Sequence, residues 1–240
     1  MGGAELQDRV AAVIGGAGGI GDAVSSRLTK AGARVYSLDL TGSKERTVES
    51  VECDVREPAS VAGAIRKVER MSRRLDALVY CAGISRDAVI WKTRIEDWDA
   101  IQSVNLRGAF LAMQAVIPIM RSAGHGRIVL IGSINGSRGK FGTSAYSASK
   151  AGLSGLAKSV ARETGRFGIT VNVIEPGMVR TSMTESLPKE ALEKAAAETL
   201  MGELVTPEDV AGLVAYLCGP EAKRITGQVL RVDAGQLLGS

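Results

Sequence analysis

The 240-residue chain is poor in the side chains from which most catalytic and metal centres are built. It has one histidine, His125, inside Ala123-Gly124-His125-Gly126, which reads as a turn. A histidine-based triad and a zinc site are thereby set aside, and no metal is expected. The three cysteines, Cys53, Cys81 and Cys218, are odd in number, widely spaced and set in apolar runs. That is the pattern of buried free thiols in a reducing compartment, not of a disulfide framework. Met1-Gly2-Gly3-Ala4-Glu5 lacks the basic and apolar regions of a signal peptide, and Leu6 stands where a myristoylation signal has Ser or Thr. A cytoplasmic protein is the expectation. No uninterrupted apolar run reaches membrane-spanning length, so no membrane partner is expected. Charge of one sign is also lacking: 30 Lys+Arg stand against 26 Asp+Glu, spread along the chain. That mild excess describes a solvated surface, not a nucleic-acid footprint. The densest basic stretch, residues 66–74, reads as the exposed face and end of a helix after Pro58, with only weak steering of anionic acyl substrates.

What the chain does have is regular alternation. Apolar runs near 10–14, 33–39, 48–53, 75–80, 127–132, 170–175 and 228–233 read as strands. Helical patterns fill the intervals, notably 20–31, 58–71, 95–121 and 144–166. Alternating β and α elements imply a parallel sheet covered on both faces. With 45% hydrophobic residues and no repeat, residues 1–240 form one α/β domain of the Rossmann-type doubly wound class, with a parallel seven-stranded sheet.

The first strand, Val10-Ala11-Ala12-Val13-Ile14, runs directly into Gly15-Gly16-Ala17-Gly18-Gly19-Ile20-Gly21 and then a helix. Strand, glycine turn and helix make a dinucleotide site, because glycines let the backbone approach a pyrophosphate at the helix N-terminus. The second strand ends in Asp39, eighteen residues after Gly21. A carboxylate there accepts from the adenosine ribose hydroxyls and repels a 2′-phosphate, favouring NAD(H) while leaving NADP(H) possible. Aspartate also commonly caps turns, and Lys44 and Arg46 just beyond would soften the preference.

Tyr146 and Lys150 lie four apart in a helical stretch, hence on one face. A phenol near pKa 10 is a poor base at neutral pH, and a neighbouring ammonium favours the phenolate. Ser133 follows the buried-strand run 127–132, at the strand end where open α/β sheets bind ligands. A hydroxyl to hold a carbonyl oxygen and a phenol to pass a proton suit carbonyl–alcohol interconversion. A Tyr-x-x-x-Lys pair alone is commonly a surface pair, and its weight comes from this setting.

From about residue 5 to its C-terminus the chain resembles the short-chain dehydrogenase/reductase family. The family's Thr-Gly-x-x-x-Gly-x-Gly motif aligns with residues 14–21, its Asp-Val pair with Asp54-Val55, and its Asn-Asn-Ala-Gly motif with Tyr80-Cys81-Ala82-Gly83. Its active-site tetrad falls on Asn105, Ser133, Tyr146 and Lys150, and its nicotinamide segment on Pro176-Gly177 with Thr181. Ile14, Tyr80 and Cys81 depart from the pattern at positions that brace the central strands. The resemblance implies a cofactor set of Gly15, Gly18, Gly19, Ile20, Gly21, Asp39, Asp54, Val55, Cys81, Ala82, Gly83, Tyr146, Lys150, Pro176, Gly177, Val179 and Thr181.

The same resemblance implies that Ser133 binds the substrate oxygen, Tyr146 acts as general acid or base, Lys150 lowers the Tyr146 pKa and binds the ribose, and Asn105 holds a relay water. The pattern is nearest to 3-oxoacyl-acyl-carrier-protein reductases, implying a small carbonyl or alcohol substrate linked to CoA or a carrier protein. Two basic carrier-docking positions of those enzymes fall on Gly124 and Phe167, with Arg166 adjacent. An NAD-dependent catabolic dehydrogenase of a cyclic alcohol, polyol or sugar is the alternative, and a non-catalytic dinucleotide sensor a remote one. Family members form homotetramers, for which Phe110, Leu111, Met113 and the Gly152/Gly155 face would serve, and use the segment at about 180–204 as a mobile substrate lid.

Overall fold

Seven parallel strands build the sheet: β1 (Val10–Ile14), β2 (Arg34–Asp39), β3 (Glu49–Glu52), β4 (Ala77–Tyr80), β5 (Gly126–Ile131), β6 (Ile169–Pro176) and β7 (Val229–Val232). Their order is β3-β2-β1-β4-β5-β6-β7. The structure is a computed structural model describing residues 6–42, 47–181, 184 and 188–239. Met1 to Glu5, Lys44, Arg46 and, within the expected lid, residues 182, 183 and 185–187 lie outside the described residues.

Helices cover both faces of the sheet, so every residue of the central strands β1, β4, β5 and β6 is buried, whereas the edge strand β3 leaves Ser50 and Glu52 exposed. Helices α1 (Gly19–Lys30) and α8 (Pro207–Cys218) cover one face, where Val24, Leu28 and Val214 meet Val13 and Val79. Helices α2 (Pro58–Ser72), α4 (Gly108–Ala123) and α6 (Ser144–Thr164) cover the other, where Val61, Met113, Val116 and Leu153 meet Leu78 and Ile128. Local chemistry marks the helix ends. Pro58 opens α2, and α8 begins with a capping box between Thr206 and Asp209. Gly124, at φ +63°, ends α4 in the left-handed conformation that glycine adopts without strain. Short helices α3 (Ile95–Gln102), α5 (Ile134–Arg138) and α7 (Lys189–Ala197) flank the C-terminal ends of the strands. Strand order reverses between β1 and β4, and a crevice opens outside their carboxyl ends.

The stretch read as one helix over 95–121 is three pieces. Between α3 and α4 the chain makes a π-helical turn, Ser103–Arg107. By length and mean hydropathy, 1.3, the run Ile95–Ala123 could cross a membrane, which qualifies the expectation from apolar runs alone. Its residues Ile101, Ala109, Ala112, Met113, Val116 and Met120 are buried in this fold. Met113 therefore belongs to the chain's own core, and a Cβ on Gly152 would press on Leu106. Of the residues expected to suit subunit packing, Phe110 is exposed and Gly155 faces open space.

Candidate active site

The glycine turn is shaped by two close approaches. Gly15 adopts φ +78°, and a Cβ there would stand 2.5 Å from the Ala82 nitrogen. A Cβ on Gly21 would overlap the Gly15 carbonyl. The turn thus packs directly on the exit of β4, and α1 starts at Gly19 with no side-chain cap on its first amides. Asp39, at the end of β2, is fixed against this turn. Its Oδ2 accepts from the Ala17 amide at 3.1 Å and its Oδ1 from the Leu40 amide at 2.7 Å.

The turn forms one wall of a cavity of about 380 Å³ at the carboxyl ends of β1, β4, β5 and β6. Gly15, Gly18, Gly19, Ile20, Gly21, Cys81 and Gly83 line that wall. Ser133, Tyr146 and Lys150 line another, and Pro176, Gly177, Val179 and Thr181 a third. Expected site residues outside the lining are Asp39, Asp54, Val55, Ala82 and Asn105. Ala82 lies beneath Gly15, and Val55 packs near Gly108. The Asp54 carboxylate is held by the Arg56 guanidinium at 2.6 Å, which keeps its pKa low.

Ser133 caps α5, its Oγ accepting from the Asn135 amide at 3.2 Å. Tyr146 and Lys150 share one face of α6. Lys150 is buried, donates to the Ile131 carbonyl at 2.8 Å, and lies 5.7 Å from the Tyr146 ring centroid. Burial pushes its pKa down to about 8. Burial also pushes the Tyr146 phenol up, opposed by hydrogen bonding with Ser133 and reinforced by Asp87. Burial thus decides the net direction for the phenol in this structure, and the opposing pull comes from Ser133.

Asn105 is fully buried behind this wall. Its Oδ1 accepts from the Ile84 amide at 2.8 Å, and its Nδ2 donates to the Ile84 carbonyl and to Ser149 Oγ, both at 3.0 Å. Both amide hydrogens are committed, so a water there could only donate to Oδ1. Ser149 itself donates to the Tyr146 carbonyl at 2.7 Å, joining Asn105 to α6. Sequence reading passed over Ser149; its i+3 spacing from Tyr146 was the available signal. It also passed over Arg138 and Gln236, which line the cavity. Arg138 meets Glu198 at 3.4 Å, and Gln236 accepts from the Met178 amide at 2.8 Å while donating to Glu198 at 3.1 Å.

Tyr80, a departure from the family pattern, supports the π turn. Its buried phenol donates to the Val104 carbonyl at 2.5 Å, one residue before Asn105. Gly108 leaves room for that hydroxyl, which a Cβ would displace. Removing only the hydroxyl in Tyr80→Phe is expected to lower stability by about 1–3 kcal/mol, because a buried carbonyl loses its donor. Denaturant unfolding with an unchanged m-value would check it.

The chain matches the family model described as Enoyl-(Acyl carrier protein) reductase over residues 15–236. A 3-oxoacyl-[acyl-carrier-protein] reductase of Thermotoga maritima is 35% identical over 246 residues, covering 97% of this chain and 99% of the relative. A (3R)-3-hydroxyacyl-CoA dehydrogenase of Canis lupus familiaris is 37% identical over 250 residues, covering 96% of each. The crystal structure of gox2181 superposes with a TM-score of 0.92 at 34% identity, covering 98% of both chains.

Proposed function

The chain belongs to the short-chain dehydrogenase/reductase family, and on that footing we propose that it reduces 3-oxoacyl thioesters at the Ser133–Tyr146–Lys150 wall. It is an NAD(P)-dependent oxidoreductase acting on CH–OH groups. The observation that carries the reading is the convergence of a hydroxyl, a phenol and a buried lysine on the cavity whose other wall is the glycine turn.

The residues fit a dinucleotide: a cradle that side chains would fill at Gly15 and Gly21, open amides at the start of α1, and Asp39 fixed beside them. When bound, the nicotinamide supplies or accepts the hydride at the carbonyl carbon. Ser133 holds the substrate oxygen, and Tyr146 gives it a proton in reduction and removes one in oxidation. Lys150 binds the ribose and resupplies the phenol, with Asn105 Oδ1 accepting from a relay water. NAD(H) is the preferred cofactor because Asp39 occupies the place of a 2′-phosphate. Arg121 and Arg166 both stack on Phe167, at 4.5 and 4.7 Å from its centroid, which favours an anionic CoA or carrier-linked thioester. The segment 180–204 serves as the lid, anchored through Glu198 to Arg138 and Gln236. The protein is a cytoplasmic homotetramer, a reading supported by three free cysteines, by the exposed Phe110 and by the open space at Gly155.

Titration of the purified protein with NADH and NADPH, followed by turnover with acetoacetyl-CoA, tests this. Tighter NADH binding with turnover is expected. NADH binding with no acetoacetyl-CoA turnover, but oxidation of a polyol or cyclic alcohol, would replace the thioester reading with the catabolic alternative.

Burial of Lys150 also predicts a pH dependence. Its native pKa, about 8, lies below the free value of 10.5, so between these limits the unfolded chain binds more protons. Stability therefore rises as pH climbs from 8 to 10.5 and is lost again as pH falls through 8. The stability difference between the parent protein and Lys150→Met should grow by roughly 2–3 kcal/mol across that window. A flat difference would contradict a desolvated lysine.

A further inference from the structure

We propose that a second cavity, at the opposite edge of the sheet from the catalytic crevice, binds a small oxyanion through the Arg127 guanidinium. This cavity, about 350 Å³, lies where β1 and β5 begin, and Arg9, His125, Arg127 and Lys223 line it together with Gln7 and Cys218. No carboxylate is among the lining residues.

Arg127 is only 5% exposed. Its Nη1 donates to the Gly126 carbonyl at 2.8 Å and the Gly168 carbonyl at 3.2 Å. Its Nε is buried with no partner, and among the described residues no hydrogen bond uses Nη2. The idle Nε–Nη2 edge is one that grips a carboxylate or phosphate with two parallel hydrogen bonds. A desolvated guanidinium lacking an anion is costly, and a bound oxyanion removes that cost.

The nearby acids do not meet the need. Asp76 accepts from Arg9 at 2.9 Å, Arg74 at 2.6 Å and the Val10 amide at 2.9 Å, and His125 Nε2 stands 4.0 Å away. Asp8 accepts from Gln7 at the surface. Cys218, raised to about 12 by burial, stays a neutral thiol. Lys223 has no ion pair among the described residues. Arg9, Arg127 and Lys223 thus line the cavity, while the Asp76 carboxylate is already shared by Arg9 and Arg74. His125 is held neutral here, pushed down to about 4 by burial and by Arg127, Arg9 and Arg74, with Asp76 opposing.

His125 is the chain's only histidine, so its ring resonances in proton NMR report on this cavity and no other. Inorganic phosphate and acetate, titrated separately at constant ionic strength, provide the probes. Saturable movement of the His125 signal is expected, with its titration midpoint rising by about one unit or more as an anion is seated beside it. Phosphate alone moving the signal assigns a phosphate-bearing ligand; acetate alone assigns a carboxylate. Arg127→Met and the surface variant Lys223→Met should each weaken binding by about tenfold or more, the loss of a charge-assisted contact. The exposed Lys223 keeps the test valid should Arg127→Met fail to fold. A response matched by sodium chloride, or equal binding by the parent and both variants, overturns the proposal. Because the readout involves neither nicotinamide nor thioester, it stands or falls separately from the catalytic reading.

Discussion

Tyr146→Phe is expected to lower turnover by about 10²–10⁴-fold while leaving nicotinamide affinity unchanged. The variant keeps the ring that packs in the cavity wall and removes only the proton-carrying oxygen. Ser149 would still donate to the residue 146 carbonyl and Asn105 to Ser149, because neither bond uses the phenol. Loss of rate with intact cofactor binding therefore separates proton transfer from architecture. The raised phenol pKa adds a directional expectation. A phenol that holds its proton is ready for reduction throughout the neutral range, whereas oxidation first requires its removal. In the parent enzyme, reduction of acetoacetyl-CoA should vary little with pH near neutrality, and oxidation of 3-hydroxybutyryl-CoA should climb toward alkaline pH. Steady-state rates in both directions provide the check, and a Tyr146→Phe enzyme that turns over normally would remove the phenol from the mechanism.

The layout of the sheet and the cavity was legible in the chain because both rest on local, strongly periodic signals. Fully buried strands appear as apolar runs, and a glycine turn between strand and helix has few other uses. The π turn was not legible. It depends on the Tyr80 phenol reaching the Val104 carbonyl and on the space left at Gly108, both of them contacts between distant parts of the sequence. The family's asparagine is lost at position 80, but the phenol there makes a brace of its own to the Val104 carbonyl. Spacing put Tyr146 and Lys150 on one face but carried no information on desolvation, which decides the direction of both pKa shifts. His125 lies in the connection between α4 and β5, two residues before Arg127, whereas its other companions Arg9 and Lys223 come from distant segments that only the fold brings to it.

Asp39 illustrates the same limit from the other side, since its type and position were evident in the sequence but its partner was not. Its Oδ2 takes up the Ala17 amide in the glycine turn, twenty-two residues earlier. The carboxylate thus does two things at once. On the proposed NAD(H) preference it would set negative charge against a 2′-phosphate, and it already occupies the Ala17 amide. Replacing it with serine should remove the repulsion and free the amide together. Two like charges about 4 Å apart near a protein surface repel by a few kcal/mol, reduced by salt. Asp39→Ser is therefore expected to shift the NADH-to-NADPH preference by about 10²–10³-fold toward NADPH, by weakening NADH and strengthening NADPH. Asp39→Asn retains an acceptor for the Ala17 amide but lacks the charge, so it should recover only the electrostatic part of the shift. Parallel titrations of the three proteins with both cofactors resolve the two contributions. If both variants leave the ratio unchanged, Asp39 is merely capping the turn, and cofactor choice must be made elsewhere along the adenosine ribose.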